Sequence, residues 1–385
     1  MYYLSNCTKV LFMFLFFSLS SIIVAQDKPE VTMGGALRFN YNSSSWKGNQ
    51  TERGGDFGFD VFRVNAKAAY KGLKLNAEYR FYSSGFGGGM LKQGWIQYDF
   101  KDNSQFQLGL TQVPFGITTY NSNSWFFSLN YYVGLEDDHD MGLKYSRSND
   151  KWDLDLAFFK NAEENSFGNL SDVDDSRYAY DVGSLGDGTY RNKELNQFNA
   201  KVNYKFGKTL KSKLGASAQY GALLNLDTED IGNRNAFAVH YEATYNKWNL
   251  KAQFTSYNYN PEAPDGESED MIAMTAYGAP YLVASKATLY TIGLNHTFPV
   301  EWGPVSSVMV YNDFGYMNKN LDEFEDTMMN DFGFLLTAGS VYTYIDFAAG
   351  KNQPWLGNEW TNGLASGNPD AEWEMRFNIN IGYYF

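Results

Sequence analysis

The feature that most limits what this chain can become is a period of two. In "WEMRFNINIGYYF" (373–385), Met375, Phe377, Ile379, Ile381, Tyr383 and Phe385 share one face, while Glu374, Arg376, Asn378, Asn380, Gly382 and Tyr384 share the other. Successive side chains of an extended chain point to opposite sides, so this is a strand pattern. It recurs from end to end. In "DVFRVNAKAAY" (60–70), Phe62, Val64, Ala66 and Ala68 oppose Arg63, Asn65 and Lys67. "GLKLNAEYRFY" (72–82) sets Leu73, Leu75, Tyr79 and Phe81 against Lys74, Asn76, Glu78 and Arg80, and "QFNAKVNYKF" (197–206) repeats the scheme. About 16 such segments follow one another, each near the length a tilted strand needs to cross a bilayer.

Composition says what lies against the two faces. Aromatic residues make up 18% of the chain, Gly is frequent and Pro scarce, yet mean hydropathy is −0.43. No apolar stretch of about 18 residues follows Ala25, so no helical span is expected. Aromatic richness with average polarity suits strands that show hydrocarbon on one side and water on the other. The apolar run Val10–Ala25 after Lys9 reads as a cleaved signal peptide over 1–25, which leaves 26–385 as a single domain. Cys7, the one cysteine, falls inside that leader, so disulfides, thiolate nucleophiles and cysteine metal sites are excluded from the mature chain.

The connections alternate in length. Tight turns are predicted at 71–72, 101–104, 147–150, 207–211, 246–247, 298–303 and 337–340. Longer polar loops are predicted near 42–56, 83–89, 112–135, 161–192, 225–233, 258–283, 317–328 and 351–370. Sorting short turns to one end and long loops to the other characterises membrane barrels, and a soluble sandwich has no physical reason for it. The expected fold is therefore all-β, a transmembrane antiparallel barrel. Trp152 and Trp248, just after tight turns, fit an interfacial aromatic girdle. The last strand has to close on the first, because an open edge would leave unpaired amides in hydrocarbon.

Alternation also names the lumen. Arg38, Arg63, Lys67, Lys74 and Arg80, from three consecutive strands, form a basic wall, with Lys144 and Arg376 also facing inward. The net charge of −13 resides in loop clusters such as "EDDHD" (136–140), "SDVDDS" (171–176) and "PDGESED" (264–270). Glu136, Asp137, Asp138 and Asp140 are expected to face the basic wall and set up a transverse field across the aperture, although solvated lumen charges explain the same residues. Trp125, Phe126, Phe127, Tyr131 and Tyr132 either stack on sugar rings or, the blander reading, pack a loop against the wall. Asp172, Asp174 and Asp175 could hold calcium but lack an EF-hand frame, so solvated surface is the simpler account and no metal or cofactor is assigned. None of the three histidines has a Ser or Asp at a telling spacing, and no enzyme is expected. No patterned basic stretch suits nucleic acid.

"LGLTQVPFGI" (108–117), a strand running into the corner Pro114–Phe115–Gly116, and the later "WFFSLNYYVGLEDDHDMGLKY" resemble the porin O/P group and related porins of Bacteroidota. The resemblance implies 16 strands, a trimer, and a third loop folded into the lumen as a constriction. It also implies contact with lipid bilayer and lipopolysaccharide, and recognition of the terminal Phe385 strand by the outer-membrane assembly machinery. One departure counts against phosphate selectivity: no Lys or Arg lies between Lys101 and Lys144, where the type members' loop is basic. The function expected is passive diffusion of small hydrophilic solutes with a weak anion preference. The alternatives are a specific channel for phosphate, other anions or oligosaccharide, and a closed structural or adhesion barrel.

Overall fold

A computed structural model describes residues 29–163 and 175–385. The leader expected at 1–25 lies outside the described residues, as do Asp172 and Asp174. Sixteen strands close into one antiparallel barrel. In chain order they are β1 (Glu30–Ser44), β2 (Asp56–Tyr70), β3 (Leu73–Phe81), β4 (Gly89–Asp99), β5 (Ser104–Gln112), β6 (His139–Ser148), β7 (Trp152–Ala162) and β9 (Asn192–Phe206). There follow β10 (Lys211–Asn225), β11 (Ile231–Tyr245), β12 (Trp248–Asn260), β15 (Lys286–Trp302), β16 (Val305–Lys319), β17 (Thr327–Ala338), β18 (Val341–Lys351) and β19 (Glu374–Tyr384). Neighbours in sequence are neighbours in space, and β19 pairs with β1 to shut the cylinder.

The two faces differ as the alternation requires. Phe198, Tyr220, Ile292 and Ile381 are exposed, while Asn199, Gln219, Thr291 and Asn380 beside them are buried. Exposed Trp152, Trp248 and Trp302 stand at the short-turn end and Trp373 at the other. The Lys71–Gly72 turn joins β2 to β3 with φ of 47° and 86°, the left-handed pair that a two-residue hairpin of matching twist needs. The third loop spans 113–138, the fourth 163–191, the sixth 261–285 and the eighth 352–373. The turn expected at 298–303 is shorter: β15 continues past Pro299, and Gly303–Pro304 makes the turn. Pro299 has no amide to donate, and the pairing register breaks between it and Trp302.

Among the described residues, three further strands lie outside the barrel sheet. β8 (Asp181–Val182), β13 (Met271–Thr275) and β14 (Tyr281–Ala284) form a small sheet from the fourth and sixth loops. Tyr180, Val182, Ile272, Met274, Tyr281 and Val283 are fully buried there, packed with Tyr131–Val133 of the third loop and Leu356 and Leu364 of the eighth. The long loops thus carry an apolar core of their own. The sequence reading, which treated them as polar connections, missed it; the apolar stretch "MIAMTAYGAPYLVA" (271–284) is the signal that marks it.

Candidate functional site: the lumen constriction

The third loop is anchored along the inner wall. The Gly116 amide donates to Ser217 Oγ of β10 (2.9 Å) and the Ile117 amide to Gln253 Oε1 of β12 (2.8 Å). Asn121 reaches Thr291 of β15, the Asn123 and Ser124 amides share Asp313 of β16 (2.7 and 2.8 Å), and the Trp125 amide meets Asp346 of β18. Lys251 of β12 donates to the carbonyls of Tyr120 and Ser122 (2.9 and 2.8 Å). Apart from the Asn121–Thr291 bond, which joins two side chains, each link satisfies a backbone group that would otherwise sit unpaired away from bulk water. Pro114 and Phe115, both buried, lead the chain into this path. The loop therefore covers the wall from β10 to β18 and leaves free space on the side of β1–β3 and β19.

That space is a cavity of about 940 Å³. Arg38, Arg63, Arg80 and Arg376 line it on one side; Tyr120, Trp125, Phe126, Phe127, Tyr131 and Tyr132 line it on the other. The two sides touch. The Arg38 guanidinium stands 4.4 Å from the Trp125 ring centre, and Arg376 faces Trp46 and Phe126 at 5.2 and 5.9 Å. Phe127 stacks on Tyr131 at 4.0 Å, so the aromatic residues both pack the loop and present faces to the cavity. Arg38 pairs with Asp60 (2.8 Å), and Glu78 takes both Arg80 and Arg63 (2.6 and 3.3 Å). Among the described residues, Arg376 and Lys251 have no carboxylate in ion-pair reach. The lining is left with a cationic excess.

The basic residues expected in the wall divide. Arg38, Arg63, Arg80 and Arg376 line the cavity, whereas Lys67 and Lys74 are exposed toward the short-turn end, with Lys74 on Asp99 (2.5 Å). Lys144 donates to the Gln112 carbonyl (2.7 Å) and pins the base of the third loop instead. The expectation that these acids face the wall is corrected: all four are buried, Glu136, Asp137 and Asp138 in the third loop and Asp140 at the start of β6. Glu136 accepts from the amides of Asn121, Ser122 and Ser128 and from Ser128 Oγ, folding the loop onto itself. Burial pushes its carboxyl above the usual range while those donors pull it down. Asp137 takes Lys92 at 2.8 Å, together with Gln112 and Tyr178. Asp138 and Asp140 lie beside Glu163 and Asp181 at the long-loop end. Unbalanced carboxylates facing an aperture would remain hydrated; Glu136 is drawn inward by the loop's own donors and Asp137 by Lys92, Gln112 and Tyr178.

Two bulges explain what strict alternation could not place. Arg38 pairs with Val61 and Phe39 with Phe59, so Asp60 is an extra residue in β2, turned inward beside Arg38. In β4 the register jumps between Gln93 and Leu91, which leaves Lys92 as the extra residue. Alternation from Ile96 would send Lys92 outward; the bulge turns it in, 4.4 Å from the Tyr178 ring. A Gly and Gln run, "LKQGW", marks the spot only in retrospect.

No protein-family model matches the sequence, and no curated protein does. Solved structures do match in shape. An anion-selective porin from Comamonas acidovorans aligns over 93% of this chain and 100% of its own, with a TM-score of 0.58 at 14% identity. The outer membrane channel DcaP of Acinetobacter baumannii aligns over 94% and 99%, with a TM-score of 0.60 at 11% identity. OmpT, an outer membrane protein of Vibrio cholerae in its trimer form, covers 93% and 100%, with a TM-score of 0.56 at 14% identity. These likenesses establish the fold, a closed barrel of the porin type.

Proposed function

We propose that the protein is an outer-membrane porin that admits small hydrophilic solutes by passive diffusion and favours anions weakly. The observation that carries this is the cavity inside the cylinder, with a ladder of arginines on one side and an anchored loop on the other. A lumen narrowed by a fixed loop sets a size limit, and an unneutralised cation at the narrows raises the local concentration of anions. The exposed apolar band supports residence in a lipid bilayer, with lipopolysaccharide at the long-loop side. The V. cholerae protein's trimer form supports a homotrimer here. Assembly through the β19 strand is part of the same proposal.

A narrower reading has one observation in its favour. Aromatic faces opposite arginines suit stacking of a sugar ring or an aromatic anion, which makes an oligosaccharide or organic-anion channel the second candidate. Strong phosphate selectivity of the porin O/P kind is less favoured, since the third loop brings no Lys or Arg to the aperture.

Planar-bilayer recording of purified protein tests the proposal. Ohmic steps with a reversal potential shifted toward anions are expected, and block by phosphate or an oligosaccharide would mark the specific channel. Arg63→Glu combined with Arg376→Glu should move the reversal potential toward cations, whereas Lys67→Glu should move it far less. Absence of any conductance would end the porin reading in favour of a closed structural barrel.

A further inference from the structure

The long-loop end of the barrel gathers buried carboxylates with too little opposing charge. We propose that Asp138, Asp140, Glu163 and Asp181 form a calcium site that ties the base of the third loop to the fourth. One ligand oxygen from each lies within 4.8 Å of the others. Oxygens bound to one calcium at about 2.4 Å can be no farther apart than about 4.8 Å, and these four meet that requirement.

Charge and hydrogen bonding both point to a cation. Asp138, Asp140, Glu163, Asp181 and the adjacent Glu194 are each under a tenth exposed. Two guanidiniums answer these five carboxylates: Arg177 approaches Asp181 at 3.5 Å, and Arg234 pairs with Glu194. Among the described residues, neither oxygen of Asp138 or Asp181 has a hydrogen-bond donor, nor do Asp140 Oδ1 and Glu163 Oε2. A buried anion without donors or counter-charge is strongly disfavoured.

A neutral side chain gives an independent indication. Gln197, 2% exposed, donates its amide to Asp140 Oδ2 (3.2 Å), while its own Oε1 has no partner. That carbonyl oxygen is held at the edge of the carboxylate group with nothing to accept from. Thr275, fully buried and paired across the small sheet with Asp181, likewise leaves its hydroxyl unpartnered. An all-oxygen set of carboxylates and an amide carbonyl is hard-cation chemistry; magnesium, which dehydrates reluctantly, suits a dry site less well than calcium. The ion would join the end of the third loop, the start of β6, the foot of the fourth loop and β8.

The site is independent of conduction, and its test reads binding. Full-length mature protein, refolded free of lipopolysaccharide and stripped with EDTA, is titrated with calcium chloride in a calorimeter. One saturable site is expected, weakened at least about tenfold in Asp138→Asn and Asp181→Asn and unchanged in Asp265→Asn on the exposed sixth loop. Equal calcium affinity in both of the first two variants would place the ion elsewhere and overturn the proposal. Should those variants fail to fold, the wild type alone decides: calcium must raise its melting temperature over the stripped form. A melting temperature indifferent to calcium, with no saturable heat, means the carboxyls hold protons instead and overturns the site.

Discussion

At the residue scale, the constriction depends on buried charges that each have a specific partner. Lys92 is the clearest case: its ammonium is 2.8 Å from Asp137 and sits among tyrosine rings. Asp137→Asn would strand that cation, and breaking a buried pair from one side costs about 3–5 kcal/mol. Urea titration of folding in lipid vesicles is expected to show a loss of that size. A loss below about 1 kcal/mol, the range of surface pairs, would mean that water reaches Lys92. Arg38, Arg63, Arg80 and Arg376 were legible from parity alone, because a strand with one apolar face dictates where the next charge points. Lys92 and Asp60 were not. Each is the extra residue of a bulge, and a bulge reverses parity without changing composition. The acids at 136–140 were legible as a cluster but not in direction, since tertiary partners such as the Ser128 amide for Glu136 and Lys92 for Asp137 decide which carboxylate is drawn inward.

At the scale of the element, the third loop is held by hydrogen bonds more than by apolar packing along its first half. Gly116 has φ of +55°, and a Cβ there would come within 2.4 Å of Gln253 Oε1, so the loop's close approach to β12 depends on a glycine. Gln253→Ala removes the acceptor of the Ile117 amide and leaves it unsatisfied, a cost of about 1–3 kcal/mol. Faster amide exchange confined to residues 115–118 and noisier single-channel current are the expected results. Exchange unchanged from wild type would show that Ser217 and Lys251 suffice to fix the loop. Strand and loop boundaries were readable because turn residues and polarity mark them. The small sheet β8–β13–β14 was not, since short apolar pieces inside long polar loops carry too few residues to establish a period.

At the scale of the whole molecule, the fold and the proposed location stand on one asymmetry: apolar side chains outside the cylinder and polar ones inside. In water that arrangement is unfavourable, since rows such as Tyr290, Ile292 and Leu294 stay exposed. In hydrocarbon it is the stable one, because closure of β19 on β1 pairs every strand edge. The asymmetry makes substitution costs depend on depth. Ile292→Arg, near the middle of β15, should cost about 2–4 kcal/mol of folding free energy in vesicles, while Leu73→Arg at the Lys71–Gly72 turn should cost about 0–1 kcal/mol. Thr291→Ser, one residue along but facing the lumen, should be nearly neutral in the same assay. Reversible unfolding followed by tryptophan emission can measure all three. Equal costs at Ile292 and Leu73 would mean that both sites meet the same solvent, and the outer surface would then be a protein interface or a water-facing wall instead of a lipid-facing band.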